Sequence, residues 1–202
     1  MAMKKNMIPL LLFFFLVACD SQPKSAFTGS VESKVSAVGT IPQESIFNLT
    51  DTFTTQDNKE VSLNQLEGKP TVMAMIFTHC TYACPRLTAD VQNIEKKLGK
   101  KAEDVNFVLV SFDSERDFPT RLNEFKKEMF LDNNFTLLHG DDDAVRTLSV
   151  LLNVQFQKNS DGDFSHSNII SVLDKKGDLV FQKEGINADH TATLEQINDL
   201  LK

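Results

Sequence analysis

The residues best equipped for chemistry are the two thiols in Thr78-His79-Cys80-Thr81-Tyr82-Ala83-Cys84-Pro85-Arg86. This stretch follows the apolar run Val72 to Phe77 and precedes a segment of helical periodicity, so the thiols sit where a strand hands over to a helix. Pro85 suits a first helical position, because its missing N–H would lack a partner there anyway. That places both sulfurs at or just before a helix N-terminus. The positive end of the helix dipole and its free N–H groups favour thiolate, the form that attacks disulfides and binds soft metals. The pair is therefore redox-active, metal-binding or both. An inert disulfide explains it less well, since closing so short a loop stabilises a fold by only roughly 2 kcal/mol. A peroxidatic thiol would want Pro-x-x-x-Thr-x-x-Cys. Thr81 is correctly spaced before Cys84, but Phe77 stands where the proline is needed.

The elements that must hold this turn follow from periodicity. Residues 45–202 are the size of one domain, with no internal repeat. Ile46-Phe47-Asn48-Leu49 and Glu60-Val61-Ser62-Leu63, with Gln56-Asp57-Asn58-Lys59 between, suggest a short hairpin. After the strand Val72–Phe77 and the cysteine turn, Leu87, Val91, Ile94 and Leu98 recur at helical spacing until Gly99. Val105 to Phe112 is nearly all apolar, as a strand buried on both faces requires. Pro119 opens a helix with Leu122, Phe125 and Met129 on one face; Phe135–Leu138 is a strand; Val145, Leu148 and Leu152 mark another helix. Strands at Val154–Gln157, Asn168–Leu173 and Leu179–Gln182 are separated by polar turns at Asn159–Gly162 and Lys175–Asp178. A final helix carries Leu194, Ile197 and Leu201. Strands alternating with helices, then a hairpin and a last helix, make a thioredoxin-like α/β order, with an N-terminal β-hairpin and an inserted hairpin before the last strands.

The N-terminus reads as an export signal. Lys4 and Lys5 precede Leu10 to Leu16, an apolar run too short to span a bilayer as a mature helix. Leu16-Val17-Ala18-Cys19 resembles a bacterial lipobox, which implies removal of residues 1–18 and lipidation of Cys19. Residues 19–44, rich in Ser, Thr, Gly and Pro, read as a flexible tether spanning roughly 25–30 Å. The expected location is extracytoplasmic and lipid-anchored, on the periplasmic face of the inner membrane in a host with two membranes. The full chain carries 21 Lys+Arg against 28 Asp+Glu, and losing residues 1–18 would remove two of the basic residues and none of the acidic ones. So acidic a chain has no basic stripe for phosphates, which argues against nucleic acid as a partner. Membrane contact is expected through the lipid alone. Of the three cysteines, Cys80 and Cys84 then have only each other.

Three segments, FTHCTYACP, SFDSERDFP and FSHSNIISVLDKKGDLV, resemble the signature segments of the Sco/SenC family, tethered thioredoxin-fold proteins of cytochrome c oxidase assembly. The resemblance runs from about Ser45 to the C-terminus. It implies one copper ion, as Cu(I) or Cu(II), held by Cys80, Cys84 and His166. It also implies a function of delivering copper to, or reducing the copper-site cysteines of, a membrane-bound oxidase subunit or another copper protein. A monomer is expected. The alternative is an enzyme, an extracytoplasmic thiol:disulfide oxidoreductase using Cys80 and Cys84. Thioredoxins, however, separate their cysteines by two residues and place a cis-proline where this chain offers Ser165-His166. Two departures from the family pattern stand out. Asp117-Phe118-Pro119 lacks a threonine that would cap the next helix, and Ser165 precedes the histidine where many members carry aspartate.

Within the second segment, Asp113 and Arg116 are candidates to orient the copper loop, whereas Glu115 reads as a surface ion-pair residue. Asp117 belongs to the same cluster without a role of its own. His79 abuts Cys80 but is expected to diverge from the metal. His139 reads as a loop or helix-end residue, and His190, just before the last helix, as a solvated or capping one. Met73 and Met75 alternate within a buried strand, where packing explains them better than metal ligation.

Overall fold

The structure is a computed structural model and describes residues 45–202. The expected signal segment 1–18, the expected tether 19–44 and Cys19 lie outside the described residues. A seven-stranded sheet is built from β1 (Thr52–Thr55), β2 (Glu60–Ser62), β3 (Thr71–Ile76), β4 (Asn106–Ser111), β5 (Phe135–His139), β8 (Ile169–Leu173) and β9 (Leu179–Glu184), in the order β2-β1-β5-β4-β3-β8-β9. The centre of the sheet is parallel, β3 beside β4 and β4 beside β5, with β8 antiparallel on the other side of β3. Parallel neighbours need a crossover, and α1 (Ala83–Leu98) and α2 (Pro119–Glu128) supply it. Two further helices, α3 (Asp142–Leu151) and α4 (Thr191–Leu200), complete the layers. Every residue of β3 is buried, which is why its sequence is apolar without alternation. Met73 and Met75 are 0% and 1% exposed, core residues as expected. In α1, Leu87, Val91, Ile94 and Leu98 all face the core. No helix among the described residues is long and apolar enough to cross a membrane.

The α/β thioredoxin-like order holds, with three local corrections. The first hairpin is real, but its leading strand is Thr52–Thr55; Ile46–Asn48 forms a 3-10 turn instead. Ser45 caps that turn by accepting from the Phe47 N–H at 3.1 Å, and the Ile46 N–H reaches the Gly177 carbonyl at 3.1 Å. Gly177 must be glycine: its φ is +81°, and a Cβ there would lie 2.6 Å from Ser45 Oγ and 2.8 Å from the Phe47 ring. The second correction is that α1 begins at Ala83, so Cys84 lies inside its first turn and Pro85 is not the first helical residue. Proline fits there because none of the first-turn N–H groups has an intrahelical acceptor. Finally, His166, outside every strand expected from periodicity, belongs to one. It ends a short strand, β7 (Phe164–His166), paired with β6 (Phe156–Lys158) in a separate two-stranded sheet.

That hairpin is fixed to the main body by aromatic packing. Phe156 and Phe164 lie 5.0 and 5.2 Å, centroid to centroid, from Phe112 just after β4, and Phe164 lies 5.1 Å from Phe77 just after β3. Each such pair contributes about 0.5–1.5 kcal/mol beyond its buried area. The result is that the end of β7 overhangs the start of α1.

Candidate metal centre

Cys80 follows β3 through a tight turn, its N–H reaching the Phe77 carbonyl at 3.4 Å. Cys84 is fully buried, and its sulfur accepts from the Phe77 N–H at 3.4 Å. The Cys84 N–H in turn points at Cys80 Sγ, 3.3 Å away. Both cysteines are free thiols here. From the overhanging hairpin, His166 Nε2 comes to 3.7 Å from Cys84 Sγ. Its other nitrogen, Nδ1, lies 3.1 Å from the Ser167 carbonyl. A carbonyl can only accept, so Nδ1 carries a proton, and in the neutral ring that leaves the Nε2 lone pair facing the thiols. The ring stands against Phe112 and Phe77, with centroids 5.2 and 5.8 Å away. The two sulfurs and the imidazole nitrogen all lie within 4.8 Å of one another. Two thiolates and one imidazole form a donor set suited to a soft or borderline ion.

The electrostatics split the two thiols. A hydrogen bond from the Cys84 thiol lowers the pKa of Cys80 to about 4, helped by the backbone N–H groups of Cys84, Tyr82 and Ala83 and opposed by partial burial. Cys84 is pushed upward, first by sharing its proton with Cys80 and then by its own burial. The proton shared by the pair therefore stays on the inner sulfur, and the outer one is the thiolate.

Several groups outside the donor set hold this arrangement. Asp113 and Arg116 pair directly, and Arg116 Nη2 also donates to the Gly162 carbonyl in the turn of the β6–β7 hairpin, at 2.7 Å. The pair thus ties the loop after β4 to the hairpin that carries His166. Glu115 makes an exposed ion pair with Lys158, 2.6 Å. Asp117, for which no role of its own is expected, fastens the cysteine turn. It is fully buried and accepts from the Thr78 N–H (2.7 Å), the Thr78 hydroxyl (2.5 Å) and the Ser111 hydroxyl (2.7 Å). Arg121 adds a bond to Thr78 Oγ1 at 3.0 Å. Nothing in the local spacing connects residue 117 to residue 78. Only the parallel pairing of β3 with β4 brings the two following loops together.

The remaining histidines lie elsewhere. His79 turns away from the thiols, with Nδ1 3.3 Å from Asp117 Oδ1. His139 ends β5 against Phe118, and its burial lowers its pKa. His190 corrects its expectation. It stands before α4 but makes no cap bond and is only 4% exposed, facing Asp90 of α1 at 3.6 Å. The packing of α4 on α1 encloses it. Phe118, as expected, starts α2 without a side-chain cap.

A family model described as SCO1/SenC matches residues 42–202. Among curated relatives, the SCO1 protein homolog of Bacillus subtilis is 34% identical over 122 residues, 60% of this chain and 54% of that protein. The chain thus spans about half the length of that relative. Among solved structures, a SCO1/SenC family lipoprotein from Bacillus anthracis superposes with a TM-score of 0.71 at 26% identity, covering 78% of this chain and 96% of that one. The copper-bound ScoI of Bradyrhizobium japonicum gives a TM-score of 0.63 at 27% identity, covering 75% and 95%.

Proposed function

The chain belongs to the SCO1/SenC family, and on that footing we propose that it carries one copper ion on Cys80, Cys84 and His166 during assembly of a membrane-bound cytochrome oxidase. The observation that carries this reading is the convergence of the three donors within 4.8 Å. The copper held by the Bradyrhizobium relative supports the identity of the cargo. Cys84 and His166 approach from the protein side, while Cys80 is half-buried at the surface, so an acceptor's ligands reach the ion past Cys80. A sulfur already held as thiolate loses no proton on loading, which favours capture at neutral pH.

One observation favours a second reading, that the pair reduces the acceptor's cysteines. A half-buried thiolate at the surface beside a fully buried thiol is the arrangement disulfide exchange needs. The Cys80 thiolate attacks one sulfur of the acceptor disulfide and expels the other as thiolate. Cys84, after losing its proton to solvent, attacks Cys80 in the mixed disulfide and expels the acceptor's remaining sulfur as thiolate. Two electrons pass to the acceptor, and Cys80–Cys84 is left oxidised.

His166→Ala separates the two. Copper carriage predicts that the variant keeps Cu(I) on two sulfurs, binds Cu(II) much more weakly and fails to support oxidase assembly in cells, while exchanging disulfides at a near-normal rate. Normal Cu(II) binding with impaired exchange would instead assign His166 to thiol catalysis and the protein to the oxidoreductases.

The proposal includes an anchor. Diacylation at Cys19 would hold a monomeric domain on the outer side of the membrane, within reach of a membrane-bound acceptor. Support comes from the lipobox-like Leu16-Val17-Ala18-Cys19 and from the lipoprotein among the structural neighbours. Mass spectrometry of the mature N-terminus tests it: an unmodified terminus elsewhere would refute it.

A further inference from the structure

The turn and loop that build the thiol site also bring together a second group of side chains able to hold a metal. His79, Asp113 and Asp117 place their donor atoms within 4.8 Å of one another. The two carboxylates are 1% and 0% exposed, whereas the His79 side chain is 44% exposed. Carboxylates are seldom buried so completely without compensation. Asp117 is nearly satisfied by Thr78 and Ser111, and its Oδ1 also faces His79 Nδ1 at 3.3 Å. Asp113 is not. One of its oxygens accepts from Arg116 Nε, but Oδ1 is buried with no hydrogen-bond partner.

A buried acceptor left without a donor is costly, and two carboxylates this close repel one another. Arg116 pairs directly with Asp113 alone; Arg121 reaches Asp117 only through the Thr78 hydroxyl. The cluster therefore leaves one carboxylate oxygen without a partner and one negative charge unbalanced, and a bound cation answers both by accepting that oxygen's lone pair. Ligand atoms each about 2.0–2.2 Å from one ion sit about 3 Å apart, close to the separation of His79 Nδ1 and Asp117 Oδ1. The half-exposed imidazole opens the cluster to solvent.

We infer that His79, Asp113 and Asp117 form a second cation site beside the thiol pair, taking a borderline divalent ion such as Zn(II) or Cu(II) on nitrogen and oxygen donors. Its chemical class follows from these donors and does not depend on what the thiols carry. The test uses the full-length protein in detergent with Cys80→Ala, Cys84→Ala and His166→Ala combined, so that no donor of the thiol site remains. Zn(II) is titrated against a competing chelator, and Cu(II) binding is read by electron paramagnetic resonance. The expected result is one ion per chain with a nitrogen-and-oxygen signature, and at least a tenfold loss of affinity on adding His79→Ala or, separately, Asp113→Asn. His79 is exposed enough that its removal should leave thermal unfolding of the metal-free protein unchanged. Absence of binding, or binding that survives His79→Ala, overturns the inference. Either failure leaves the proposal for Cys80, Cys84 and His166 standing, because those donors are missing from the proteins compared.

Discussion

Cys80 and Cys84 share one turn, yet they should not react alike. The outer sulfur is held as thiolate, with its pKa lowered to about 4, and the inner one is buried with the proton. A lowered pKa means the reactive form is present at all pH values well above 4 and is lost only as pH falls through that value. Alkylation by iodoacetamide should therefore fall on Cys80 first and at nearly the same rate at pH 6 and pH 8. An ordinary thiol, with a pKa near 8.5, would speed up more than tenfold over that range. Peptide mapping that found Cys84 modified first would reverse the assignment. Asp117 yields a second prediction. Asp117→Ala strands the Thr78 N–H and the Ser111 hydroxyl inside the protein, and it should cost about 3 kcal/mol of stability in chemical denaturation. At this scale the thiol pair is legible because its chemistry is written in single residues, whereas His166 is singled out only by the resemblance of its segment to a family segment. Asp117 is not legible, because its partner is 39 residues away and only the folded loops show the pairing.

The element that decides the metal centre is the β6–β7 hairpin, which shares no ladder with the main sheet. It is placed by phenylalanine packing and by Arg116, which grips Asp113 on its own loop and the Gly162 carbonyl in the hairpin turn. A lysine would keep the charge beside Asp113 but lacks the planar fork that serves two acceptors at once. Arg116→Lys should therefore lower Cu(II) affinity about tenfold to a hundredfold, the usual scale for a group orienting a ligand, with little change in the Cys80 alkylation rate. An unchanged Cu(II) affinity would show that the aromatic packing alone sets the position of His166. Sequence patterning located the hairpin's turn at Asn159–Gly162 but not β7, because a three-residue strand is too short to show alternation. The first hairpin was misplaced for a related reason. Ile46 and Phe47 are apolar because they cover the β8–β9 turn, and burial in a 3-10 turn leaves the same mark as burial in a strand.

At the scale of the whole molecule, the layered order was readable because the central strands are buried on both faces and the helices carry one apolar stripe each. What periodicity does not contain is the strand order, in which β3 takes β4 on one side and β8 on the other. That order brings two parts of the chain, 82 residues apart, to one candidate metal site: a cysteine turn fixed to the sheet and a histidine strand fixed mainly through side chains. An ion bound across them ties the hairpin to the body, so loading should raise the stability of the whole fold. Silver(I), a redox-inert stand-in for Cu(I), isolates this effect because it prefers the sulfurs to the oxygen donors around Asp117. With the free ion buffered at a thousand times its dissociation constant, the reduced protein gains about 4 kcal/mol. For a domain of this size, that raises the melting temperature by roughly 8–16 °C. The Cys80–Cys84 disulfide has no thiolate to offer, so the oxidised protein should melt at the same temperature with and without silver. Equal shifts in the two redox states would place the stabilising ion away from the thiols and remove the basis for redox-gated loading.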